Sequence, residues 1–480
     1  MEFEAVIGME VHVEINCRSK VFCACSTDFH SPPNTNVCPV CLGMPGALPV
    51  LNRDMVEKSV MVGLALNCQI SRWSKMDRKN YFYPDLAKNY QISQYDLPLC
   101  HHGWIDIEVD GEARRIRITR AHMEEDTARN IHTIAGGMSG VDFNRSGVPL
   151  LEIVTEPDIR NAREAYAYLT ALKQLLQYLD VSDCNMEEGS LRAEANVSVR
   201  PAGSDQLGTK TEIKNVASFS GVQKAIDYEI RRQIDVIRSG ETIHQETRGW
   251  DSDHGVTFSQ RAKESAHDYR YFPEPDLVPV VVDEAWEARI RQRLPEFPAD
   301  RRKRFMTQYS LSAYDAGVLT QTRAMADYYE TMVGLGTDPK KAANWLMVEL
   351  QGRLTDAGRE ISQSPVAPEN LSRLIALIED GTISGKIAKE VLNRMFESGA
   401  DPETIIREKG LAQISDAGAV EAVVREVVRN HPEQAAQYRA GKEKVFAFFV
   451  GQVMKASRGK ANPGLVNELL RKVLNEGGDA

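Results

Sequence analysis

The chain has 480 residues, of which 42% are hydrophobic and 26% charged, and its formal net charge is −10. One hydrophobic core does not extend over this length, so several domains are expected, and the composition excludes a disordered or fibrous protein. The net negative charge argues against a protein that coats nucleic acid with its whole surface. The N-terminal segment lacks the basic and apolar parts of a signal peptide, and no apolar run approaches the roughly 18 residues of a membrane span. We therefore expect no membrane contact and a cytoplasmic location.

The first predicted element is a β-strand at the N-terminus. Apolar residues from Met9 to Val13 alternate with Glu10, His12 and Glu14. Because successive side chains of a strand point to opposite faces, the two carboxylates and the imidazole share one face. A metal site and an ordinary solvent-facing strand surface both fit this pattern.

A cysteine cluster follows this strand, with the spacing C-x-C-x12-C-x2-C. Thiolates are soft ligands that suit tetrahedral zinc, and two close pairs joined by a loop can supply all four ligands. We predict a structural zinc site, with four buried free thiols as the alternative. A four-thiolate site has no open position for water, so it would stabilise a loop and not perform catalysis. The predicted zinc ligands are Cys23, Cys25, Cys38 and Cys41, whereas Cys17, Cys68, Cys100 and Cys184 lack paired spacing and are expected to be small buried hydrophobic residues.

Acidic residues recur further along this half of the chain. Glu124 and Glu125 lie in the segment HMEED, and Glu152 lies inside the apolar run LLEIV. A carboxylate in an apolar strand is costly to bury unless it is paired or bound to a cation, so Glu152 indicates a metal or a basic partner. Mg²⁺ binds few protein carboxylates and leaves positions for phosphate oxygens, which Lys79 and Arg192 could also contact. The sequence contains neither a Walker loop nor a strand-linked GxGxxG turn, so an ATP site would be of another kind.

The predicted elements change in type towards the middle of the chain. Strand-like alternation and Gly, Pro and Asp turns predict an α+β fold for the first part, whereas helical periodicity dominates from Arg289 onward. Pro295 and Pro298 frame a junction that disfavours helix, and Gly410 precedes a second break. We predict an α+β domain over 1–292, an all-helical domain over 293–408 and a small helical tail over 409–480.

The predicted tail is the basic part of the chain. Residues 405–480 contain twelve Lys and Arg against nine Asp and Glu. Several of these cations surround apolar Val445, Phe448 and Phe449, as in a helix that packs on one face and presents cations on the other. A solvated helix face and an RNA contact both fit. The candidate RNA contacts are Lys442, Lys444, Lys455, Arg458 and Lys460.

A family resemblance runs in order through nearly the whole chain. The chain resembles the B subunit of the glutamyl/aspartyl-tRNA amidotransferase, the GatB family. So many long, ordered segments exclude chance similarity, unlike a lone short motif. The segments that carry the resemblance are VIGMEVHVEI, DRKNYFYPD, YQISQYD, ITRAHMEEDTAR, DFNRSGVPLLEIVTEPD, MEEGSLRAEANVS, QETRGWD, DYRYFPEPDLVPV, ANWLM, LIEDGTISGKIAKEV and GQVMKASRGKANPGLVNELL.

The resemblance implies a cradle domain, a helical domain and a tail similar to the YqeY family. It implies a ligase that uses ATP to phosphorylate the side-chain carboxylate of Glu mischarged on tRNA(Gln), or of Asp on tRNA(Asn). Ammonia then displaces the phosphate to give the amide. The A subunit of the family releases this ammonia from glutamine, and the C subunit ties the heterotrimer together. The implied cofactors are ATP, Mg²⁺ and structural Zn²⁺.

The matching positions imply roles for individual residues. Lys79 and Arg192 are implied to contact phosphate or the substrate carboxylate, and Glu124 to lie on the ammonia path into the site. The tail cations become favoured tRNA contacts. The implied Mg²⁺ ligands, of which Glu125 also counts as catalytic, are Glu10, His12, Glu125 and Glu152.

Some alternatives stay open at this point. Arg270, in DYRYFPEPD, would either position the tRNA 3′ end or brace the cradle. Glu194 stands where the family usually has Asp, which moves its carboxylate outward by one methylene. A noncatalytic scaffold that presents mischarged tRNA to a partner is the competing function. Such a scaffold has no need of carboxylates that converge on a metal, so the enzyme is favoured.

Overall fold

The computed structural model describes residues 2–134, 138–262, 269–411, 417–457 and 461–476. The chain forms two compact units, Met1–Pro298 and Ala299–Ala480. The first combines strands and helices, and every element assigned in the described part of the second is a helix. The predicted class, an α+β part followed by helices, is confirmed. The finer domain limits at 292 and 408 stay predictions.

A nine-stranded sheet organises the first unit, and smaller sheets lie beside it. The strands are β1 (Phe3–Glu14), β2 (Gln69–Ile70), β3 (Trp73–Ser74), β4 (Asp77–Asn80), β5 (Tyr90–Ser93), β6 (Cys100–Val109), β7 (Glu112–Glu125), β8 (Arg129–Ile134), β9 (Met138–Asp142), β10 (Pro149–Thr155), β11 (Leu191–Pro201), β12 (Thr211–Lys214), β13 (Glu246–Asp251), β14 (Val256–Ala262), β15 (Phe272–Pro273) and β16 (Val280–Val281). The large sheet has the order β14-β13-β12-β11-β1-β10-β7-β6-β2. Its neighbouring strands are antiparallel except β12 and β13, which are parallel.

Helices cover one face of the large sheet. They are α1 (Arg53–Ala65), α2 (Ala162–Tyr178) and α3 (Phe219–Arg238), and a short α4 (Glu284–Arg291) packs on α1. Side-chain caps start the first three helices, since Asn52, Asn161 and Ser218 each accept a hydrogen bond from a backbone N–H of the first turn.

The covered face contains the hydrophobic core of the first unit. Val11 and Val13 of β1, Met123 of β7 and Leu151 of β10 are fully buried there. Full burial of such a side chain contributes roughly 1.5–3 kcal/mol, so the alternation of apolar residues fixes which face each strand turns inward. The polar residues between them lie on the opposite face, which we call the open face.

A three-stranded sheet, in the order β15-β4-β5, lies next to the open face, with β5 beside β7. An ion pair holds its edge, since Arg78 Nε and Nη2 donate to Glu274 at 2.6 and 2.8 Å. The Arg78 guanidinium also lies 4.2 Å from the ring centre of Tyr90. This sheet positions the segment that contains Lys79 against the open face.

The second unit is built from short helices. Its described residues form two separate hydrophobic clusters, one between Phe305 and Ile406 and one between Val420 and Leu474. No helix among the described residues is long and apolar enough to cross a membrane. The helices are α5 (Pro298–Gln308), α6 (Ala313–Leu319), α7 (Arg323–Gly334), α8 (Pro339–Asn344), α9 (Gln351–Asp356), α10 (Pro368–Glu379), α11 (Gly385–Ser398), α12 (Pro402–Lys409), α13 (Ala417–Asn430), α14 (Pro432–Arg439), α15 (Val445–Ala456) and α16 (Pro463–Asn475), with a π-helical turn at Trp345–Leu350 and a 3-10 turn at Ile361–Gln363.

Candidate active site

A row of ionisable side chains crosses four strands on the open face. The register pairs His122 of β7 with Glu152 of β10, Glu152 with His12 of β1, and His12 with Arg192 of β11. Neighbouring strands lie about 4.8 Å apart, so side chains of this length can contact one another along the row. The row therefore joins four segments that are distant in sequence.

Part of this row forms a compact group with Glu124. His12 Nε2 lies 3.4 Å from Glu124 Oε1 and 3.5 Å from Glu152 Oε2. One ligand atom from each of the three residues lies within 4.8 Å of the other two. His122 Nε2 contacts Glu152 Oε2 from the other side at 3.3 Å. Both carboxylates are buried, so they need a cation or a protonated partner nearby.

Charge and burial together set the protonation of this group. Burial alone would lower the pKa of His12, but its hydrogen bond with Glu152 and the surrounding carboxylates raise that pKa to about 9. Burial opposes ionisation of Glu152, but the charge of His122 and the hydrogen bond with His12 hold its pKa well below the usual value. Burial and repulsion from Glu152 raise the pKa of Glu10. The carboxylates thus favour a protonated His12, and a metal cation bound to the group would displace that proton.

Glu125 lies outside this group. Because Glu124 and Glu125 are neighbours on β7, their side chains point to opposite faces. Glu125 accepts hydrogen bonds from Lys88 Nζ and, at 2.9 Å, from the backbone N–H of Ile92. The structure therefore does not bring Glu125 together with His12 and the other predicted Mg²⁺ ligands, and Glu124 occupies that position instead.

Glu10 lies two residues before His12 on β1 and belongs to a second group of carboxylates. Its oxygen and those of Glu194 and Glu212 lie within 4.8 Å of one another. Lys214 Nζ lies 2.7 Å from Glu194 Oε2 and 3.3 Å from Glu212 Oε1. Asn196 Nδ2 donates to Glu10 Oε1 at 2.8 Å. A lysine therefore already neutralises part of this group, and Glu10 is not among the ligand atoms that surround the imidazole.

The two cations predicted to contact phosphate line the same cleft, whose open space is about 1230 Å³. Lys79 has no ion pair with a carboxylate of the described residues, and its Nζ lies 5.2 Å from the ring centre of Tyr269. Burial would lower the pKa of Lys79, but the charge of nearby Glu124 raises it, so the ammonium stays charged. Arg192 Nη2 contacts Asp126 at 2.7 Å, while its buried Nε has no hydrogen-bond partner among the described residues.

Tyrosines form another wall of the cleft. The rings of Tyr95 and Tyr271 stack at a centroid distance of 4.2 Å, and Tyr269 meets Tyr271 edge to face at 6.0 Å. Tyr81 packs edge to face on Tyr269 at 6.1 Å. Such rings offer flat, partly polar surfaces for a nucleobase or a ribose.

Arg270 lies between two of these tyrosines. Its backbone is left-handed, with φ of 47°, and its carbonyl accepts a hydrogen bond from Asn80 Nδ2 at 2.9 Å. This local conformation turns Tyr269 and Tyr271 to the cleft while the Arg270 side chain is exposed. Sequence reasoning missed the tyrosines, although the motifs YFYPD and DYRYFPEPD contain three of them, and it missed the cleft residues Arg120, Lys210 and Lys214.

The four cysteines predicted to bind zinc lie together in the loop after β1. Their Sγ atoms are within 4.8 Å of one another, and those of Cys38 and Cys41 are 3.9 Å apart. Zn–S bonds of about 2.3 Å in a tetrahedron place the sulfurs about 3.8 Å apart, so this arrangement fits zinc. The backbone N–H of Cys38 donates to Cys41 Sγ at 3.1 Å, as in a tight knuckle. The cluster could bind a metal.

Two family models match the chain. The GatB/GatE catalytic domain matches residues 5–288, and the GatB domain matches residues 327–474. The chain belongs to the GatB family. The catalytic-domain match includes the cysteine cluster and every residue named above as lining the cleft.

Named GatB relatives match over almost their full length. The B subunit of the aspartyl/glutamyl-tRNA(Asn/Gln) amidotransferase from Carboxydothermus hydrogenoformans is 56% identical over 476 residues, which cover 98% of this chain and 99% of the relative. The protein of the same name from Caldanaerobacter subterraneus subsp. tengcongensis is 56% identical over 476 residues, with 99% and 100% covered. That of Moorella thermoacetica is 56% identical, with the same coverage.

The GatB domain match contains the predicted tail cations. Arg458 and Lys460 lie outside the described residues. Lys472 is not one of the predicted tRNA contacts. Its Nζ lies 3.8 Å from Glu421 Oε1 and 3.9 Å from Glu476 Oε1. Three of the predicted cations are exposed and pair with no carboxylate of the described residues. They are Lys442, Lys444 and Lys455.

Proposed function

We propose that this GatB-family chain is the ATP-using subunit of a tRNA-dependent amidotransferase. It phosphorylates the side-chain carboxylate of Glu on tRNA(Gln) or of Asp on tRNA(Asn), and ammonia then converts the acyl phosphate to the amide. The names of the relatives support this reaction. The observation that carries it is the group of His12, Glu124 and Glu152, which shares one cleft with the ammonium of Lys79.

The residues present fit Mg²⁺. They offer two carboxylate oxygens and one imidazole nitrogen from rigid strands, and this small number leaves coordination positions for water and phosphate oxygens. His12, Glu124 and Glu152 would hold the ion, with Glu10 one step away. When bound, Mg²⁺ would neutralise the charge that builds up on the phosphates during transfer. Glu124 thus replaces Glu125 in the proposed ligand set, and a role for Glu124 on the ammonia path stays a prediction.

The first step makes the carboxylate reactive. Ammonia cannot displace oxide from a carboxylate, so a better leaving group is needed. A carboxylate oxygen of the substrate forms a bond to the γ-phosphorus of ATP while the bond from that phosphorus to the β,γ-bridging oxygen breaks, and ADP leaves. Lys79 lines this cleft and pairs with none of the described carboxylates, so its ammonium is available to contact a phosphate or the substrate carboxylate. Arg192, held by Asp126, lines the same cleft.

The second step forms the amide. The nitrogen of ammonia bonds to the carbonyl carbon, inorganic phosphate leaves, and the nitrogen loses a proton. We infer that a glutaminase A subunit supplies the ammonia and that a C subunit completes the assembly in the cytoplasm. The relatives are named as one subunit of an amidotransferase, which supports an enzyme of several subunits.

The tRNA would contact the chain at two places. The tyrosine wall and exposed Arg270 would receive the aminoacylated 3′ end, because single-stranded ends are recognised by stacking and by cations. The exposed tail lysines Lys442, Lys444 and Lys455 would contact phosphates elsewhere on the tRNA. Binding at the tail would therefore weaken with salt.

We further propose that Cys23, Cys25, Cys38 and Cys41 hold structural Zn²⁺. The Sγ distances and the knuckle at Cys38 support this assignment. Four thiolates complete the tetrahedron, so the ion would hold the loop in place and take no part in the reaction.

The test uses the chain assembled with its A and C subunits and supplied with Glu-tRNA(Gln) and Asp-tRNA(Asn). ADP should form only in the presence of mischarged tRNA, and amidated aminoacyl-tRNA should appear when glutamine is added. A scaffold would bind mischarged tRNA without consuming ATP. Binding without any tRNA-dependent ADP formation would overturn the proposal.

A further inference from the structure

The loop that joins the two pairs of clustered cysteines has no buried residue of its own. It runs over residues 26–37, all of which are half-buried or exposed. Its largest apolar side chain, Phe29, is 47% exposed. The loop therefore gains little stability from hydrophobic burial, so its conformation depends on the cysteines at its two ends and on polar contacts.

The tip of this loop is hydrogen-bonded to β9. The backbone N–H of Asn34 donates to Asp142 Oδ1 at 3.0 Å, and Asn34 Nδ2 donates to the carbonyl of Val141 at 3.1 Å. In return, the backbone N–H of Phe143 donates to Asn34 Oδ1 at 2.8 Å. Asn34 has a left-handed backbone, with φ of 60°, which asparagine tolerates better than most residues. This one residue thus connects the loop to the hairpin of β8 and β9.

A buried lysine connects the cysteine cluster to the same hairpin. Lys20 is fully buried, and its backbone N–H donates to the carbonyl of Cys25 at 3.0 Å. Its Nζ donates to a carbonyl of the loop at 2.8 Å and to that of Phe143 at 3.2 Å. At the other cysteine pair, Ser146 Oγ donates to the carbonyl of Cys41 at 3.1 Å. Movement of either pair would therefore disturb the segment that follows β9.

The cysteines of the second pair differ in their access to solvent. Cys38 is half-buried, whereas Cys41 is only 4% exposed, and their Sγ atoms are 3.9 Å apart. A dissolved oxidant would thus meet Cys38 first, and Cys41 lies where it can attack the oxidised sulfur. All cysteines outside the cluster are buried. Burial raises the pKa of Cys17 and Cys68 to about 12 and that of Cys184 to about 11, so these residues stay unreactive thiols.

We propose that Cys38 and Cys41 are a site of oxidation by peroxides, and that their conversion to a disulfide releases the zinc ion and frees the hairpin of β8 and β9 from the loop. This inference rests on the proposed zinc assignment. It adds to that assignment the reagent that acts on the thiolates and the element whose position depends on them.

The reaction balances with hydrogen peroxide as the oxidant. The Cys38 sulfur bonds to one peroxide oxygen, the O–O bond breaks, and hydroxide leaves a sulfenic acid behind. The Cys41 sulfur then bonds to the Cys38 sulfur, the S–O bond breaks, and a second hydroxide leaves. The two sulfurs lose the two electrons that peroxide gains, and protons from solvent convert both hydroxides to water. Cys23 and Cys25 offer only half of a tetrahedron, and they take up protons as zinc leaves.

The experiment treats the assembled complex with hydrogen peroxide. A chromogenic chelator should detect about one released zinc per chain. Cys38 and Cys41 should resist alkylation by iodoacetamide unless they are first reduced. Deuterium exchange at the backbone N–H of Phe143 should become about fivefold faster or more, because Asn34 no longer holds it, while exchange in α2 should stay the same. Dithiothreitol with added zinc should reverse all three changes.

Two variants separate the oxidation from its structural consequence. Cys41→Ser lacks the second sulfur, so peroxide should produce at Cys38 a sulfenic acid that dimedone labels. Asn34→Gly keeps the left-handed backbone without strain but removes the amide that holds Phe143, so it should retain zinc and exchange faster there without peroxide. Asn67→Gly makes the same substitution at another left-handed asparagine and should leave exchange at Phe143 unchanged.

Zinc that stays bound after peroxide treatment, with Cys38 and Cys41 still open to alkylation, would overturn the oxidation site. Release of zinc without faster exchange at Phe143 would overturn the connection to the hairpin. A native complex without zinc would instead contradict the zinc assignment itself. Amidation by the untreated complex tests the proposed reaction separately, so that reaction and this inference can fail independently.

Discussion

Glu124 and Glu125 follow one another on β7, yet Glu124 Oε1 lies 3.4 Å from His12 Nε2 while Glu125 contacts Lys88 on the other side of the strand. The pairing of β7 with β10 fixes this difference, because it sets Glu124 opposite Leu150 and Glu125 opposite Pro149. Consecutive carboxylates thus have separate roles. Glu124 belongs to the candidate metal group, and Glu125 belongs to an ion pair with Lys88.

Neutralising these two carboxylates should have different effects. Glu124→Gln should lower tRNA-dependent ADP formation at least about 100-fold, because a metal ligand and its charge are lost. Glu125→Gln should lower that rate less than about tenfold and should instead reduce stability, because the half-buried ammonium of Lys88 loses its carboxylate partner. ADP formation and thermal unfolding of both assembled variants provide the comparison. Equal losses of ADP formation would place Glu125 in the centre after all.

Lys79 and Lys75 provide a second matched comparison. Lys79→Met removes a cation of the cleft that no described carboxylate pairs with, and it should lower kcat/KM for amidation about 100-fold or more, since an oriented charge at the transferring group is lost. Lys75 is paired with Asp77 and Asp96, so Lys75→Met should change kcat/KM less than about threefold. Steady-state kinetics with varied ATP and tRNA measure both. A small effect of Lys79→Met would remove this lysine from the proposed mechanism.

The cysteine cluster predicts a stoichiometric metal. Purified protein should contain about one zinc per chain by elemental analysis. The double variant Cys38→Ser and Cys41→Ser should lose the zinc and unfold at a lower temperature, whereas Cys17→Ser should retain it. Native protein without zinc would return the four cysteines to the alternative of free buried thiols.

The tail predicts a salt-dependent tRNA contact. Replacing Lys442 and Lys444 by Ala should weaken tRNA binding and lower the slope of log K against log salt by about 1–2, one phosphate contact for each lysine. Lys472→Ala should have little effect, because Glu421 and Glu476 already lie near that ammonium. Titration of labelled tRNA at several salt concentrations tests this. The same slope for the native and doubly substituted proteins would argue for a solvated helix face.

An ion pair in the second unit, between Glu330 and two arginines, should stabilise the fold to an extent that depends on pH. Burial opposes ionisation of Glu330, but hydrogen bonds from Arg304 and Arg301 lower its pKa below the usual value. The carboxylate therefore stabilises the fold above the unfolded pKa of about 4.3, and that contribution is lost as the pH falls through the lower, folded pKa. Glu330→Gln should lower the free energy of unfolding by about 1 kcal/mol at pH 7, where the figure already allows for the partial exposure of this carboxylate. At the lowest pH where the unit stays folded, the substitution should change the free energy of unfolding very little.

Urea unfolding at several pH values measures the effect of Glu330→Gln. Exposed Glu397→Gln serves as the control, with no expected change at any pH. A loss for Glu330→Gln that does not depend on pH would show that packing, not charge, accounts for its stabilisation.

The sequence predicted the faces of single strands well and their mutual register poorly. Alternation in β1 correctly placed Glu10, His12 and Glu14 on one face, and this prediction is confirmed by the burial of Val11 and Val13 on the other. Which of two consecutive acids in HMEED joins His12 depends on how β7 pairs with β10, and local pattern contains no signal for that pairing. A shift of one residue would have exchanged the two acids.

Non-local packing explains what else the sequence left hidden. Lys210 lines the cleft from a loop that packs on β11 at Gly208, where a Cβ would lie 2.2 Å from the backbone oxygen of Val199, and this glycine looks like an ordinary turn residue in the sequence. The spacing of the four cysteines, in contrast, is a local signal, and the structure brings all four together as that spacing suggested. A site whose residues lie in one segment can be predicted from sequence. Prediction of a site whose residues lie on several strands requires the topology of the sheet.

The row of His122, Glu152, His12 and Arg192 also constrains how the chain is made. β1 leaves the ribosome before its partner β11, which ends at Pro201, so the row cannot form until β11 has been synthesised and paired. Contacts between segments this far apart form late in folding. Until then, His12 and its strand must remain without Arg192 and the pairing that β11 supplies. A fragment that ends before Leu191 would contain both carboxylates of the candidate metal group and still lack the edge that completes it.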